Sequence, residues 1–181
     1  MTGLEQIWAG WRREYVSSVP NAATSRDAGA DTGAAGCVFC SIATGAGSDE
    51  ELGVLWRSHH SIAILNAFPY ASGHLMVMPR RHVPDLENLT PEESAELWQG
   101  LLDALHALRA AYKPDGVNIG ANLGRAAGAG LPEHVHVHAL PRWAGDTNFM
   151  TTVAGVRVMP EALCDTWSRL RAAWPDHAAD R

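Results

Sequence analysis

Residues 134–140 read His-Val-His-Val-His-Ala-Leu, and this strict alternation of imidazole with aliphatic side chains leaves the backbone little choice. A helix would scatter such residues around its axis. A β-strand sorts them: each residue rises ~3.3 Å and successive side chains point to opposite faces, so His134, His136 and His138 share one face about 6.6 Å apart. Val135, Val137 and Ala139 take the other, core side. The chain must therefore build a sheet with one face packed. A lone histidine reads as a tolerated surface residue, but three in register suit either metal ligation or work on a phosphate. Neutral imidazole is a good ligand and nucleophile, and its protonated form donates to anionic oxygens.

The rest of the chain supplies that sheet and its cover. Val54–Trp56, Ser61–Leu65 and His74–Met78 have strand character, with Pro69 and Gly73 turning the chain between the last two. Thr90-Pro91-Glu92-Glu93 opens a helix that runs to Tyr112, with Thr90 and Glu93 as a capping box and Pro91 in the first position. Leu97, Leu101, Leu105 and Leu108 form its apolar stripe, which can pack inside the molecule or against a second copy. Lys113 to Gly116 ends it. Strands at Val117–Leu123 and His134–Leu140, a strand or hairpin over Thr151–Met159, and a C-terminal helix from Pro160 to about Trp174 complete an α+β domain of residues 37–181. Before it, Leu4, Trp8, Trp11 and Tyr15 mark a short amphipathic helix within residues 1–16. Residues 17–36 are small and polar, too poor in apolar side chains to repay ordering, and read as a flexible linker.

Charge and composition exclude some classes. A net charge of -6 argues against holding a nucleic-acid polymer on a basic surface. No apolar run approaches the ~20 residues that cross a bilayer, and the first residues lack the order of a signal peptide, so a cytoplasmic place is expected. Three cysteines, two of them in Cys37-Val-Phe-Cys40, fit a reducing compartment. That pair reads as a zinc half-site, a redox motif or an idle surface turn. Cys164 is an ordinary helix residue, and the adjacent His59 and His60 are surface residues. The Gly124–Gly130 segment is either a plain turn or a phosphate cradle.

His134-Val-His136-Val-His138-Ala-Leu resembles the signature of the histidine triad (HIT) family of nucleotide hydrolases and transferases. Asn66–Pro79, reading NAFPYASGHLMVMP, is similar to the family's nucleotide-binding strand and turn. Asn122-Leu-Gly, the following Ala-Gly, and Pro141-Arg-Trp143-Ala-Gly-Asp-Thr-Asn148-Phe resemble most the branch of actinobacterial diadenosine tetraphosphate (Ap4A) phosphorylases. The resemblance implies a HIT-like fold: an antiparallel sheet of about five strands with a long helix packed on it and a C-terminal helix.

It also implies that His136 attacks the α-phosphorus to give a nucleotidyl-histidine and that His138 bonds phosphate or leaving-group oxygens. Asn122, Gly128, Gly130 and Leu131 would then attend the phosphates, and Asn66 and His74 the ribose and nucleoside. Many family members carry Gln, Ser or Thr where this chain has Gly130, which leaves the leaving-group preference open. In zinc-bearing members the ligand set corresponds to Cys37, Cys40, His82 and His134, a closed structural site. The implied reaction is Ap4A plus inorganic phosphate to ADP and ATP, with Arg142, Trp143 and Asn148 as candidates to hold the acceptor. The alternatives are a hydrolase that uses water on Ap4A, Ap3A or a phosphoramidate and releases AMP, and a nucleotide-binding module with little turnover. Family members dimerise through their sheets and long helices, so a homodimer is expected.

Overall fold

The computed structural model describes residues 33–45, 47–146 and 161–176. The expected N-terminal helix, most of the linker and the Thr151–Met159 strand lie outside them. The described residues of 33–144 and 161–176 belong to one compact unit. Its first described residues, the last four of the expected linker, form one helical turn, α1 (Gly33–Gly36). Helix α2 (Val38–Thr44) comes next, then strands β1 (Val54–Arg57), β2 (Ser61–Leu65) and β3 (Leu75–Pro79). The long helix α3 (Pro91–Tyr112) leads to β4 (Gly116–Ala121) and β5 (Val137–Arg142), and α4 (Leu163–Ala173) closes the unit.

The five strands form one antiparallel sheet in the order β1-β2-β3-β5-β4. Strands β2 and β3 pair along their whole length, Ser61 opposite Pro79 through Leu65 opposite Leu75, and every residue of both is buried. Such continuous apolar runs arise where both sheet faces are covered. On one face Ala63, Leu65, Leu75, Val77, Val137 and Ala139 pack beneath α3 and α4. On the other, Val54, Ile62, Ile64, Met76 and Met78 meet Cys37, Phe39, Cys40 and Ala43 at the α2 end.

Helix α3 begins as its sequence predicts. The Glu93 amide donates to Thr90 Oγ1 at 3.2 Å, and the Thr90 amide donates to Glu93 Oε2 at 2.8 Å. Leu97, Leu101 and Leu108 are buried within the molecule, but Leu105 is half-buried, and Gly100, Ala104 and Ala107 are buried beside them. A Cβ on Gly100 would lie 2.9 Å from Trp56 Cζ3 and 3.1 Å from Val77 Cγ1, so glycine lets the helix settle on the sheet. Lys113 ends it in the left-handed conformation (φ 48). Trp167 Nε1 of α4 donates to the Val54 carbonyl at 2.7 Å, and Trp174 stacks on Trp56.

Two expectations about the histidine strand need correction. Strand β5 begins at Val137, so His138 alone of the three joins the ladder, opposite Met76 and Gly120. His134, at a bend, and His136 precede it outside regular pairing, where the Val135 amide donates to the Val83 carbonyl at 2.7 Å. Nor is the histidine face left open along its length: α2 covers that end, leaving His134 1% and His136 7% exposed.

Candidate active site and metal centre

The three histidines differ in what their second nitrogens do. His136 Nδ1 lies 2.8 Å from the His134 carbonyl, which can only accept, so Nδ1 carries the proton and Nε2 keeps its lone pair. Burial lowers the His136 pKa, which keeps the ring neutral. That is the state a nucleophilic imidazole needs.

His138 is set the opposite way by a chain of bonds. The Tyr70 amide donates to His74 Nδ1 at 3.1 Å, so the neutral His74 ring carries its proton on Nε2. That nitrogen lies 3.0 Å from His138 Nδ1, which must accept, leaving the His138 proton on Nε2. Burial, with the neighbouring His136 charge adding to it, pushes the His138 pKa down to about 4. The ring is therefore a neutral donor at pH 7. One ring offers a lone pair and the next a proton, with centroids 5.1 Å apart.

Beside His138, past the end covered by α2, the sheet face is open. Gly120 stands opposite His138, and a Cβ built on it meets nothing within 4 Å. Asn122 donates from Nδ2 to the Gly128 carbonyl at 3.4 Å, tying the end of β4 to the glycine loop. In that loop Gly124 and Gly128 have φ of 76 and 92, conformations that favour glycine. Gly130 and Leu131 continue from the loop toward His134, with Leu131 packed against the α2 cluster. Asn66 sits across the site: its Oδ1 accepts from the Phe68 amide at 2.9 Å, and its Nδ2 is 3.4 Å from His74 Nε2. His74, 1% exposed, stands behind His138 and beneath the Tyr70 ring.

His134 turns away from this cleft. Its Nε2 donates to the Pro79 carbonyl at 2.8 Å, which aims the Nδ1 lone pair at Cys37 Sγ (3.4 Å) and Cys40 Sγ (3.6 Å). His82 Nδ1 lies 3.4 Å from Cys40 Sγ, and the four ligand atoms are within 4.8 Å of one another. A tetrahedral zinc with ordinary Zn–S and Zn–N bonds places sulfur and nitrogen ligands about 3.6 Å apart. The donor set therefore fits such an ion in number, chemistry and spacing. Burial raises the Cys40 thiol to about 11, with the hydrogen bond and charge of Cys37 adding to this. A cation bound there would supply the charge that favours thiolates.

Two contacts join this cluster to its surroundings. Phe39, between the two cysteines, lies edge-on to His134 and His136 at centroid distances of 5.5 and 5.0 Å. Arg81, beside His82, grips Glu93 through Nε and Nη2 at 2.8 and 2.7 Å and holds that carboxyl down to about 2.

The remaining candidates fall elsewhere. Arg142 is on the face of His138, farther along β5, with Nη1 donating to Asn118 Oδ1 at 3.0 Å. Trp143 packs against Tyr112 at the end of α3, and Asn148 is outside the described residues. His59 and His60 pack ring against ring at the surface, away from the Cys/His cluster. Phe39, Gly120, the Pro79 carbonyl and the Tyr70 amide also take part in the site. Phe39 carried a sequence signal in its place between the two paired cysteines, and Tyr70 and Pro79 in theirs within the Asn66–Pro79 segment; Gly120 carried none.

The HIT domain family model matches residues 50–145. Over 171 residues the chain is 41% identical to AP-4-A phosphorylase of Mycobacterium tuberculosis, covering 94% of this chain and 85% of that protein. It is 37% identical over 93 residues to an asymmetrical bis(5'-nucleosyl)-tetraphosphatase of Schizosaccharomyces pombe, 51% of this chain and half of that one. Among solved structures, a Zn-bound histidine triad family protein from Mycobacterium smegmatis superposes with a TM-score of 0.63 at 31% identity, over 78% of this chain and 94% of that chain. A five-stranded antiparallel sheet with three alternating histidines at the start of β5 agrees with these likenesses, and the chain belongs to the HIT family.

Proposed function

We propose that this protein is an Ap4A phosphorylase working through a covalent nucleotidyl-histidine. His136 Nε2 attacks the α-phosphorus of Ap4A, forming a P–N bond as the P–O bond to the remaining polyphosphate breaks and ATP departs. Inorganic phosphate then attacks the same phosphorus, the P–N bond breaks, and ADP leaves. The observation that carries this reading is the opposite protonation of neighbouring rings, the His136 lone pair beside the His138 Nε2–H, with open space at Gly120 opposite His138. His138 donates to the phosphoryl and leaving-group oxygens, where charge accumulates. Asn122, Gly128, Gly130 and Leu131 line the phosphates, and Asn66 faces the ribose. His74 orients His138. The 41% identity to an enzyme named AP-4-A phosphorylase supports phosphate as the acceptor.

The deciding assay incubates the protein with Ap4A, with and without phosphate, and separates the products by ion exchange. Phosphate-dependent ADP plus ATP is expected. AMP plus ATP without phosphate supports the second reading, a hydrolase, which the likeness to a tetraphosphatase favours. Tight binding without turnover supports a binding module instead. His136→Ala is expected to abolish turnover while nucleotide binding persists; substantial residual activity sinks the nucleophile.

The Cys37, Cys40, His82 and His134 cluster is read as a structural zinc site. When bound, the ion is a closed four-ligand crosslink and takes no part in the chemistry. About one zinc per chain by elemental analysis is expected. Reduced cysteines of this kind suit a reducing compartment and support a cytoplasmic reading; no described helix is long and apolar enough to cross a membrane. Trp98 and Leu102 on α3, 60% and 44% exposed, and Ile119 on edge strand β4 support a homodimer joined along that edge.

A further inference from the structure

Ap4A carries a negative charge on each phosphate of its bridge, and the groups assigned to those phosphates, Asn122 and the backbone of the glycine loop, offer dipoles but no full positive charge. We propose that Arg125 supplies it: its guanidinium pairs with the polyphosphate beyond the α-phosphorus and so selects a long, highly charged leaving group. The inference rests on the Ap4A reading.

The loop places this arginine at the histidine segment. Strand β4 ends at Ala121 opposite Val137, one step past the pairing of Gly120 with His138. The chain returns at Leu131, whose carbonyl accepts from the His134 amide at 3.4 Å, so both ends of the loop are fixed beside the three imidazoles. Arg125 stands in the turn between them, and its own side chain plays no part in holding that turn. The Gly128 amide donates to the Arg125 carbonyl at 3.0 Å, the Ala127 and Ala129 amides donate to the Gly124 carbonyl at 3.2 and 3.3 Å, and Asn122 Nδ2 donates to the Gly128 carbonyl at 3.4 Å. Gly128, assigned to the phosphates, is thus bonded to Arg125 itself. A fixed backbone carrying an exposed arm limits the ordering cost of binding to one side chain.

Nothing on the loop neutralises that arm. Residues 121–132 contain no acidic side chain, and among the described residues no carboxylate meets the Arg125 guanidinium. The other described arginines are engaged or lie elsewhere. Arg57 and Arg80 hold carbonyls at the end of α2, Arg81 pairs with Glu93, Arg169 pairs with Glu161, and Arg142 donates to Asn118. Arg109 and Arg171 belong to α3 and α4, which pack on the sheet face opposite His138. On a chain of net charge -6, an unneutralised guanidinium beside the reaction centre is a local attraction for an anion, and its planar fork matches phosphate oxygens in pairs.

The test measures kcat/KM for Ap4A, kcat/KM for inorganic phosphate, and the inhibition constant of AMP, which keeps the reacting nucleotide and lacks the polyphosphate, in wild type and Arg125→Ala. The bonds that hold the turn do not use the substituted side chain, so the turn persists. Arg125→Ala is expected to lose about 10- to 100-fold in kcat/KM for Ap4A, the usual worth of a charge-assisted hydrogen bond, while the AMP inhibition constant moves less than about twofold. The gap between the two proteins on Ap4A should narrow as added salt screens the pair. Equal weakening of AMP and Ap4A, no loss on Ap4A, a loss confined to kcat/KM for phosphate, or a gap indifferent to salt overturns the role of Arg125 while leaving the Ap4A reading intact. Wild-type protein that does not consume Ap4A overturns the Ap4A reading and this inference with it.

Discussion

In the proposed reaction His74 acts on the chemistry through His138 rather than on the substrate. With Nδ1 held by the Tyr70 amide, its Nε2–H fixes His138 as the acceptor at one nitrogen and the donor at the other. Removing the ring lets the His138 proton move to the wrong nitrogen. His74→Ala is therefore expected to lower kcat by about 10- to 100-fold, the usual cost of losing a partner that orients a working ring. His74→Gln, which keeps an N–H donor, should recover part of the loss in steady-state kinetics; equal loss in both variants would show that the role is packing alone. The pH dependence follows from His138. Its pKa is lowered to about 4, first by burial and then by the His136 charge, while the unfolded ring titrates near the ordinary value of about 6.5. Between those values the unfolded state binds more protons, so stability is retained above that window and lost as pH falls through it. Activity behaves differently, because the folded ring stays neutral: kcat/KM for Ap4A at pH 5.5 should remain within about twofold of its value at pH 7. An acid limb centred near pH 6.5 would show a solvated ring.

Among the elements, α3 illustrates what was readable and what was not. Its start was legible because a capping box is written in adjacent residues, and Thr90→Ala is expected to cost about 1 kcal/mol in urea unfolding. Its packing face was only partly legible. The leucine stripe marked the buried side but not the close approach at Gly100, whose partners Trp56 and Val77 come from distant strands. Gly100→Ala should cost about 1–3 kcal/mol through overpacking, seen as a lower urea midpoint at an unchanged m-value; a neutral result would mean that Trp56 moves aside freely. Strand β5 gives the complementary lesson. Period-two alternation placed the imidazoles together, yet it could not reveal that α2 covers His134 and His136 or that regular pairing starts only at Val137. Those facts depend on Phe39 and the two cysteines, about a hundred residues away in sequence and in contact only after folding.

At the scale of the whole molecule, the Cys/His cluster ties together stretches that the backbone leaves far apart. Cys37 and His134 are separated by 97 positions, and His82 enters from the segment after β3, itself held to the start of α3 by the Arg81–Glu93 pair. The ligands were recognisable in the sequence only through family likeness, because a short Cys-x-x-Cys also fits a redox motif; the tautomer that aims His134 Nδ1 at the sulfurs needs the Pro79 carbonyl, which no pattern discloses. A metal bound to the folded chain alone adds stability by mass action, about 2.7 kcal/mol when free metal is 100 times its dissociation constant. In a domain of this size each kcal/mol moves the midpoint by roughly 2–4 °C. Cys40→Ser, or prolonged chelation, is thus expected to release the metal and lower Tm by roughly 5–10 °C. Because Phe39 bridges the cluster and the nucleophile, kcat should fall in the metal-free protein even at temperatures where it stays folded by circular dichroism. A protein that loses its metal with unchanged Tm and unchanged kcat would show that the four residues are held by packing alone and that the cluster does not fasten the catalytic strand.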